Sequence, residues 1–274
     1  MHPRLEWTLP LLAVLAVAAT GCGGADPSVV ALPEAARALG VAPDFAGTIW
    51  ETTGARPWRS HDGGLSWQPV GGTAGGFGIA FTELGGEVVG PKGAQRGDYG
   101  GVVLVPPKPT PTTFVAVATP YHRTNRLYAI DLFGHLWLSA DAGRDWVQLR
   151  AARLPSTAQA ISAVRGDVIK PDVIYVACGD DGLWRSLDDG ATFTHMPAPA
   201  VATAVAMTTD DQSRVLVAGD KLYLSTDFGR TFLTVLDHRV DAVAFDPRNR
   251  RLAYAAVGHE LLRSVDGGQS WPSP

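Results

Sequence analysis

The chain has 274 residues, enough for one large or two small domains, and 46% of them are hydrophobic, which suffices for a real core. Only 18% are charged, while 31 glycines and 20 prolines punctuate the sequence, a balance of turn-rich β proteins rather than helical ones. The net charge is −4 and no run of Lys or Arg occurs, so nucleic acid is excluded as the expected partner; the 19 arginines are scattered.

The first element is a targeting segment. Arg4 precedes an apolar run, Leu9 to Ala19, which is too short for a bilayer span of about 20 residues and suits a signal-peptide core. Ala19-Thr20-Gly21-Cys22 resembles a bacterial lipobox, in which the cysteine becomes the lipidated first residue. The expected division is therefore a signal peptide over 1–21, a lead or linker over 22–45 lipidated at Cys22, and one folded domain over 46–274. The mature chain is expected in the bacterial cell envelope, anchored and facing the periplasm or the outside, with secretion as the alternative. With Cys22 lipidated, Cys178 has no disulfide partner and reads as a small buried residue in "DVIYVACG".

Next, "SVVAL" (28–32) or the stretch 31–45 offers a first strand, and "PEAARAL" (33–39) reads as a short helical turn. "GTIWETT" and "RPWRS" follow as strands and lead into "SHDGGLSW" at Ser60. That octapeptide recurs as "SADAGRDW" at Ser139, "SLDDGATF" at Ser186, "STDFGRTF" at Ser225 and "SVDGGQSW" at Ser264. A decayed copy, "RGDYGGVV", starts at Arg96 and keeps Asp98 and Gly100; with it the spacings are 36, 43, 47, 39 and 39 residues. A period near forty marks a stacked or radial repeat, in the range of propeller blades. Upstream of each box stand alternating strands such as "HLWLS", "GLWRS", "KLYLS" and "ELLRS", and before them two more short strands, as at 240–246 and 251–257. Each unit is thus strand, turn, strand, turn, strand, box, strand. The last unit stops just after Trp271, leaving a stub for its outer strand.

The box positions are Ser60, Asp62, Gly64 and Trp67; Ser139, Asp141, Gly143 and Trp146; Ser186, Asp188, Gly190 and Phe193; Ser225, Asp227, Gly229 and Phe232; and Ser264, Asp266, Gly268 and Trp271. The carboxylate can accept N–H bonds of its own turn, and the glycine permits a backbone closed to residues with a Cβ. The ring is expected to bury apolar surface between blades, at about 1.5–3 kcal/mol each. The motif is a folding device rather than a calcium-binding or catalytic set.

These boxes resemble the Asp-box (BNR) repeat of sialidases, sortilin-type receptors, xyloglucan-cleaving glycosidases and photosystem II assembly-factor propellers. The resemblance covers about 60–271 and implies an all-β fold: a single β-propeller of four-stranded antiparallel blades, about six, with five or seven as alternatives. It implies no activity by itself, because the repeat marks the scaffold. In the sialidase-like families the box hairpins face away from the substrate, so the resemblance puts the working face on the turns between second and third strands and on the blade-to-blade connections. Glu51, Asp131, His135, Asp180, Asp181, Asp220, His259 and Glu260 form the candidate binding rim there, with His238 on the same side.

No catalytic residue is assigned. The sialidase Arg-Ile-Pro signature ahead of the first box is missing, and the tyrosines sit in strand patterns without a Glu set opposite them. A glycosidase needs two carboxylates about 5–10 Å apart across a cleft, which rim acids of neighbouring blades could supply. No His pair has metal-ligand spacing, and no Gly-rich loop opens a helix as phosphate sites require. No metal or cofactor is expected. Two functions follow: a non-enzymatic, monomeric scaffold or assembly factor that binds another protein or a glycan, and alternatively a small carbohydrate-active hydrolase using rim acids. The units are short and regular, in the style of the assembly-factor propellers, although that family's Arg-rich face contrasts with an acidic rim here.

Overall fold

The computed structural model describes residues 28–43, 45–71, 75–82, 85–91, 93–97, 109–120, 125–164, 171–208 and 213–274. Among them there is no helical segment, and the strands form six separate antiparallel sheets. The segment expected to be a signal peptide, Cys22, and Asp98 and Gly100 of the decayed box fall outside the described residues.

Strand β1 (Val29–Ala31) comes first in the chain, and its place becomes clear only at the end. Blade one is built from β2 (Ala38–Val41), β3 (Ile49–Thr52), β4 (Pro57–Ser60) and β5 (Gln68–Pro69). Blade two has three described strands, β6 (Gly78–Thr82), β7 (Gly85–Gly90) and β8 (Gly93–Gly97). Blade three runs through β9 (Phe114–Ala118), β10 (Leu127–Asp131), β11 (His135–Ser139) and β12 (Val147–Arg153). Blade four comprises β13 (Ala160–Val164), β14 (Val173–Ala177), β15 (Leu183–Ser186) and β16 (Thr194–His195). Blade five comprises β17 (Ala204–Met207), β18 (Val215–Ala218), β19 (Leu222–Ser225) and β20 (Leu233–Leu236). Blade six contributes β21 (Ala242–Phe245), β22 (Ala253–Val257) and β23 (Glu260–Ser264).

The innermost strands β2, β6, β9, β13, β17 and β21 touch in that order, and β21 touches β2 again, so the six blades close a ring. The expected six-bladed, all-β propeller is what forms. Six strands converging on one axis leave little room, and the sequence meets this with small residues at alternate inner positions: Ala116 and Ala118, Ala204 and Ala206, Ala242 and Ala244. At Gly78 a Cβ would come 2.8 Å from the backbone nitrogen of Val117 on the next blade, so nothing larger fits.

Of the two stretches expected to supply the first strand of blade one, the structure takes 31–45 and not "SVVAL", and the helical turn expected over 33–39 gives way. "SVVAL" is not the first strand of blade one: β1 pairs with β23, Val29 opposite Leu262 and Ala31 opposite Glu260, and supplies the outer strand that blade six lacks. The first strand of blade one is β2, so Ala38 and Leu39 of "PEAARAL" are extended rather than helical. The physical reason is pairing. An open ring would leave the edges of β23 and β3 unsatisfied, and that gain outweighs the weak helix propensity of a seven-residue segment. Residues 28–41, assigned in sequence to the lead, thus belong to the ring.

Every complete box forms the same turn. In blade four the Ser186 hydroxyl donates to Asp188 Oδ1 (2.7 Å) and accepts from the Gly190 amide (2.9 Å), while Asp188 accepts the amide and hydroxyl of Thr192 (2.9 and 2.6 Å). The set repeats at Asp62, Asp141, Asp227 and Asp266, apart from Asp145, which cannot supply a hydroxyl. The residue before each box glycine also adopts positive φ: Ala142 (58°), Asp189 (60°) and Phe228 (63°) do so with a side chain. The closing rings pack on buried clusters, Phe193 on the blade three–four core and Trp67 on the blade six–one core.

The scattered arginines acquire a purpose here. Arg96 Nη2 donates to the carbonyl of Ala142 (2.7 Å), Arg185 Nη1 and the Tyr175 hydroxyl to that of Phe228 (2.9 and 2.7 Å), and Arg214 Nη1 to that of Gly267 (3.4 Å). Each acceptor is the positive-φ residue of the following blade's box. At the blade three–four seam the Tyr128 hydroxyl donates instead to Asp172 Oδ2 (2.9 Å), with Arg126 beside Asp172 and Asp189. At three seams, then, the box turn presents one carbonyl that a neighbouring guanidinium or phenol stitches.

Candidate functional site

Turns between second and third strands share one face with the blade-to-blade connections: Leu32 N donates to His259 O, Val240 N to Gly219 O, and Gly179 bridges Ala202. The rim residues expected from sequence fall on or near this face, but they do different things.

Asp131 is buried at the end of β10. Its Oδ1 accepts the amides of Phe133 (2.8 Å) and His135 (2.9 Å), and its Oδ2 contacts His135 Nδ1 and Trp137 Nε1, both at 3.0 Å. Burial opposes its ionisation, yet the donors of His135, Trp137 and Phe133 outweigh it and hold the carboxyl below the usual range. This acid locks its own turn and does not face a ligand. The lock has a consequence: Leu132 and Phe133, at the turn's tip, stand 54% and 67% exposed.

Glu51 is not in a turn. It lies inside β3, paired with Leu39 and Trp58, fully buried, and neither carboxyl oxygen has a hydrogen-bond partner. Burial, with Glu34 adding repulsion, pushes it up to about 8. It is removed from the rim because "ETT" continues a strand whose alternate residue, Ile49, packs into the blade six–one seam.

The remaining acids are accessible. Asp180 and Asp181 are exposed in the blade four turn, and Asp181 accepts the Thr157 hydroxyl (2.6 Å). Asp220 is exposed and accepts the Tyr223 hydroxyl (3.1 Å). His259 is exposed in the last turn, His238 is exposed nearby, and Glu260 is half-buried opposite Ala31. Cys178 is buried, and burial, then Asp181, pushes its thiol up to about 12, which leaves it unreactive at neutral pH.

The ring axis encloses an apolar cavity of about 180 Å³ lined by inner-strand residues such as Leu39, Ile79, Val117, Ile161, Val205 and Val243, with no acid or base in its wall. Its other mouth adds Arg37 and Gln159. A third cavity, under the turn 246–251, contains the single carboxylate of Asp246. Among the described residues, no group of three or more His, Cys, Asp or Glu could hold a metal ion. The sequence did not flag Leu132 and Phe133; the available signal was two large apolar residues inside a turn, where polar ones are the rule.

No family model and no curated protein matches the chain. Solved structures do. A GH74 enzyme from Niastella koreensis superposes with a TM-score of 0.59 at 20% identity, covering 84% of this chain and 36% of its own. This chain therefore spans about a third of that enzyme's length. YCF48 from Cyanidioschyzon merolae gives 0.54 at 17% identity, covering 89% and 86%, and a YCF48 structure bound to a D1 peptide gives 0.54 at 16%, covering 86% and 96%. At such identities the likeness speaks for fold alone, and the closed ring of inner strands gives the conclusion: the chain is a six-bladed β-propeller, similar in fold to those proteins.

Proposed function

We propose that the chain is an exported, lipid-anchored and non-enzymatic propeller that binds another protein through the face of its second-to-third-strand turns. The observation that carries this reading is the Asp131 turn. A buried carboxylate spends four contacts to hold two large apolar side chains in water, an arrangement that costs solubility and suits an interface anchor ringed by polar groups. Asp180, Asp181 and Asp220 supply such a rim. Structural neighbours of nearly the same length support it, one of them with a bound peptide.

The competing reading, a glycoside hydrolase, draws on the GH74 likeness. It needs paired acids, whereas Asp131 is committed to its turn and Glu51 lies in a strand.

The test has two arms. Captured partners from the organism's membranes should depend on the turn: Leu132→Ser with Phe133→Ser should lose them, and wild type should retain them. Purified chain should release no sugar from xyloglucan oligosaccharides or sialosides. Hydrolysis that disappears in the Asp180→Asn, Asp181→Asn, Asp220→Asn triple variant would replace this proposal with the enzymatic one.

A further inference from the structure

The innermost strands are not the best-packed layer of the ring. Leu39, Ile79, Ile161, Val205 and Phe245 keep 7–8% of their surface accessible, whereas Tyr128, Ile174, Leu216 and Tyr254 on the second strands behind them keep 0–2%. The inner strands wall a hollow. Six aliphatic side chains, one per blade from Leu39 to Val243, border both a vestibule of about 60 Å³ near Arg37 and Gln159 and the larger cavity of about 180 Å³. The larger cavity lies on the box side of that ring, since it continues to Pro43 and Pro247, beyond the ends of β2 and β21.

Its shape follows from a packing rule that one blade breaks. Each inner strand turns its larger side chains toward the preceding blade, onto small residues there. Leu39 and Val41 share a cluster with Ala242 and Ala244, Val243 and Phe245 with Ala204 and Ala206, and Ile161 with Ala116. A Cβ at Gly40 would come 2.8 Å from Phe81 and 2.9 Å from Ile79, so the rule holds between blades one and two as well. At the box-side level the large position holds Val41, Phe81, Met207 and Phe245 in four blades. Blade three has Thr119 there. Blade four has Ala163, which shares its cluster with Ala118, a methyl against a methyl. A close-packed interior seldom leaves such a deficit, and here it opens onto the axis.

The chemistry of the wall narrows the occupant. No charged side chain lines the larger cavity, and a charge buried there without a partner would be costly. Thr119 lines it, and among the described residues its Oγ1 is buried without a hydrogen-bond partner. Each innermost strand is also paired on one side only, so its free edge adds backbone N–H and C=O groups facing the axis. An apolar cavity of about 150 Å³ admits benzene. This one therefore has room for a single ring.

We infer that the box-side cavity of the ring axis is a binding site for a neutral single-ring molecule carrying one hydrogen-bonding group, a phenol in class. The missing side chain at Ala163 gives the ring its space, and the Thr119 hydroxyl exchanges a hydrogen bond with the polar group. The aliphatic layer from Leu39 to Val243 closes the far end. This site is separate from the Leu132–Phe133 turn and needs no protein partner.

The experiment titrates the full chain carrying Cys22→Ser with p-cresol, toluene and p-toluate by calorimetry. p-Cresol should bind more tightly than toluene, and the charged p-toluate should not bind. T119V should weaken p-cresol about 3- to 10-fold and leave toluene unchanged, which erases the preference. A163M installs the side chain that blade five carries at this level; it should abolish binding of both neutral probes without lowering the thermal midpoint. If A163M unfolds the ring, A163V reads the same loss by degree. No binding of p-cresol to the parent chain, or p-cresol binding unchanged in a folded A163M or A163V, would overturn the inference. Equal affinity for p-cresol and toluene, or a preference that survives in T119V, would overturn the role of Thr119.

Discussion

Glu51→Gln should stabilise the protein, and more so as pH rises. Glu51 is 0% exposed, both oxygens lack a partner, and its carboxyl titrates near 8 against an ordinary value of 4.5. Native chain therefore keeps a proton that unfolded chain releases above pH 4.5, and stability falls as pH rises from 4.5 to about 8. At 1.36 kcal/mol per pH unit the whole interval is worth roughly 4–5 kcal/mol, of which about 3 is already lost by pH 7. Glutamine has the same shape and no charge, but its amide remains buried without a partner, so a net gain of about 2 kcal/mol is expected at pH 8. For a chain of this size that is a rise of roughly 4–8 °C in melting temperature. Melts of wild type and variant at pH 5, 6, 7 and 8 measure the difference directly, since other titrating groups cancel. The gap should be smallest at pH 5 and widest at pH 8. Parallel curves, or a variant that melts lower at pH 8, would show that Glu51 has a partner or solvent in solution.

Arg96→Ala should cost about 3 kcal/mol, because it leaves Glu87 buried without its 2.6 Å ion pair and frees the carbonyl of Ala142 across the blade two–three seam; guanidinium titration reads it. Asp188→Ala should cost about 1–3 kcal/mol through the lost bonds to Ser186 and Thr192. Gly190→Val should cost more than Asp188→Ala, since φ is +85° and its Cβ would collide with Leu136; thermal melting ranks the two.

The blade was legible in sequence because its signals are local. Period-two alternation in "HLWLS" and "KLYLS" marks strands, and Ser, Asp and Gly at fixed offsets mark a turn whose bonds all lie within five residues. The seams were not legible, because they join residues far apart in the chain. Arg96 meets Ala142, and Tyr175 meets Phe228, at sequence separations that no periodicity encodes. The candidate rim failed in part for another reason: Glu51 and Asp131 read as polar turn residues, but strand pairing buries the first, and the second is consumed locally by the amides and rings of Phe133, His135 and Trp137, which its residue type alone does not reveal. A charge count could not separate an acid that locks a turn from one that faces solvent.

Ring closure depends on a strand of three residues that also leads back toward the proposed anchor. Val29 and Val30 pack on different clusters, the first against the blade five–six core and the second against the blade six–one core, so β1 fills the last seam as well as completing a sheet. A Cβ on Gly64, in the first box, would lie only 3.1 Å from Val30 Cγ2, which shows how closely that box sits on the strand. Val30→Asp would place a charge in this seam, and a loss of about 2–4 kcal/mol is expected. Ala31→Asp, one residue on and exposed, should change stability by less than about 0.5 kcal/mol. Hydrogen exchange at Leu261 and Leu262 would locate the effect, since opening at β1 exposes β23 before the rest of blade six. Equal stability losses at both positions would mean that β1 contributes backbone pairing alone, and that the ring closes without its side chains.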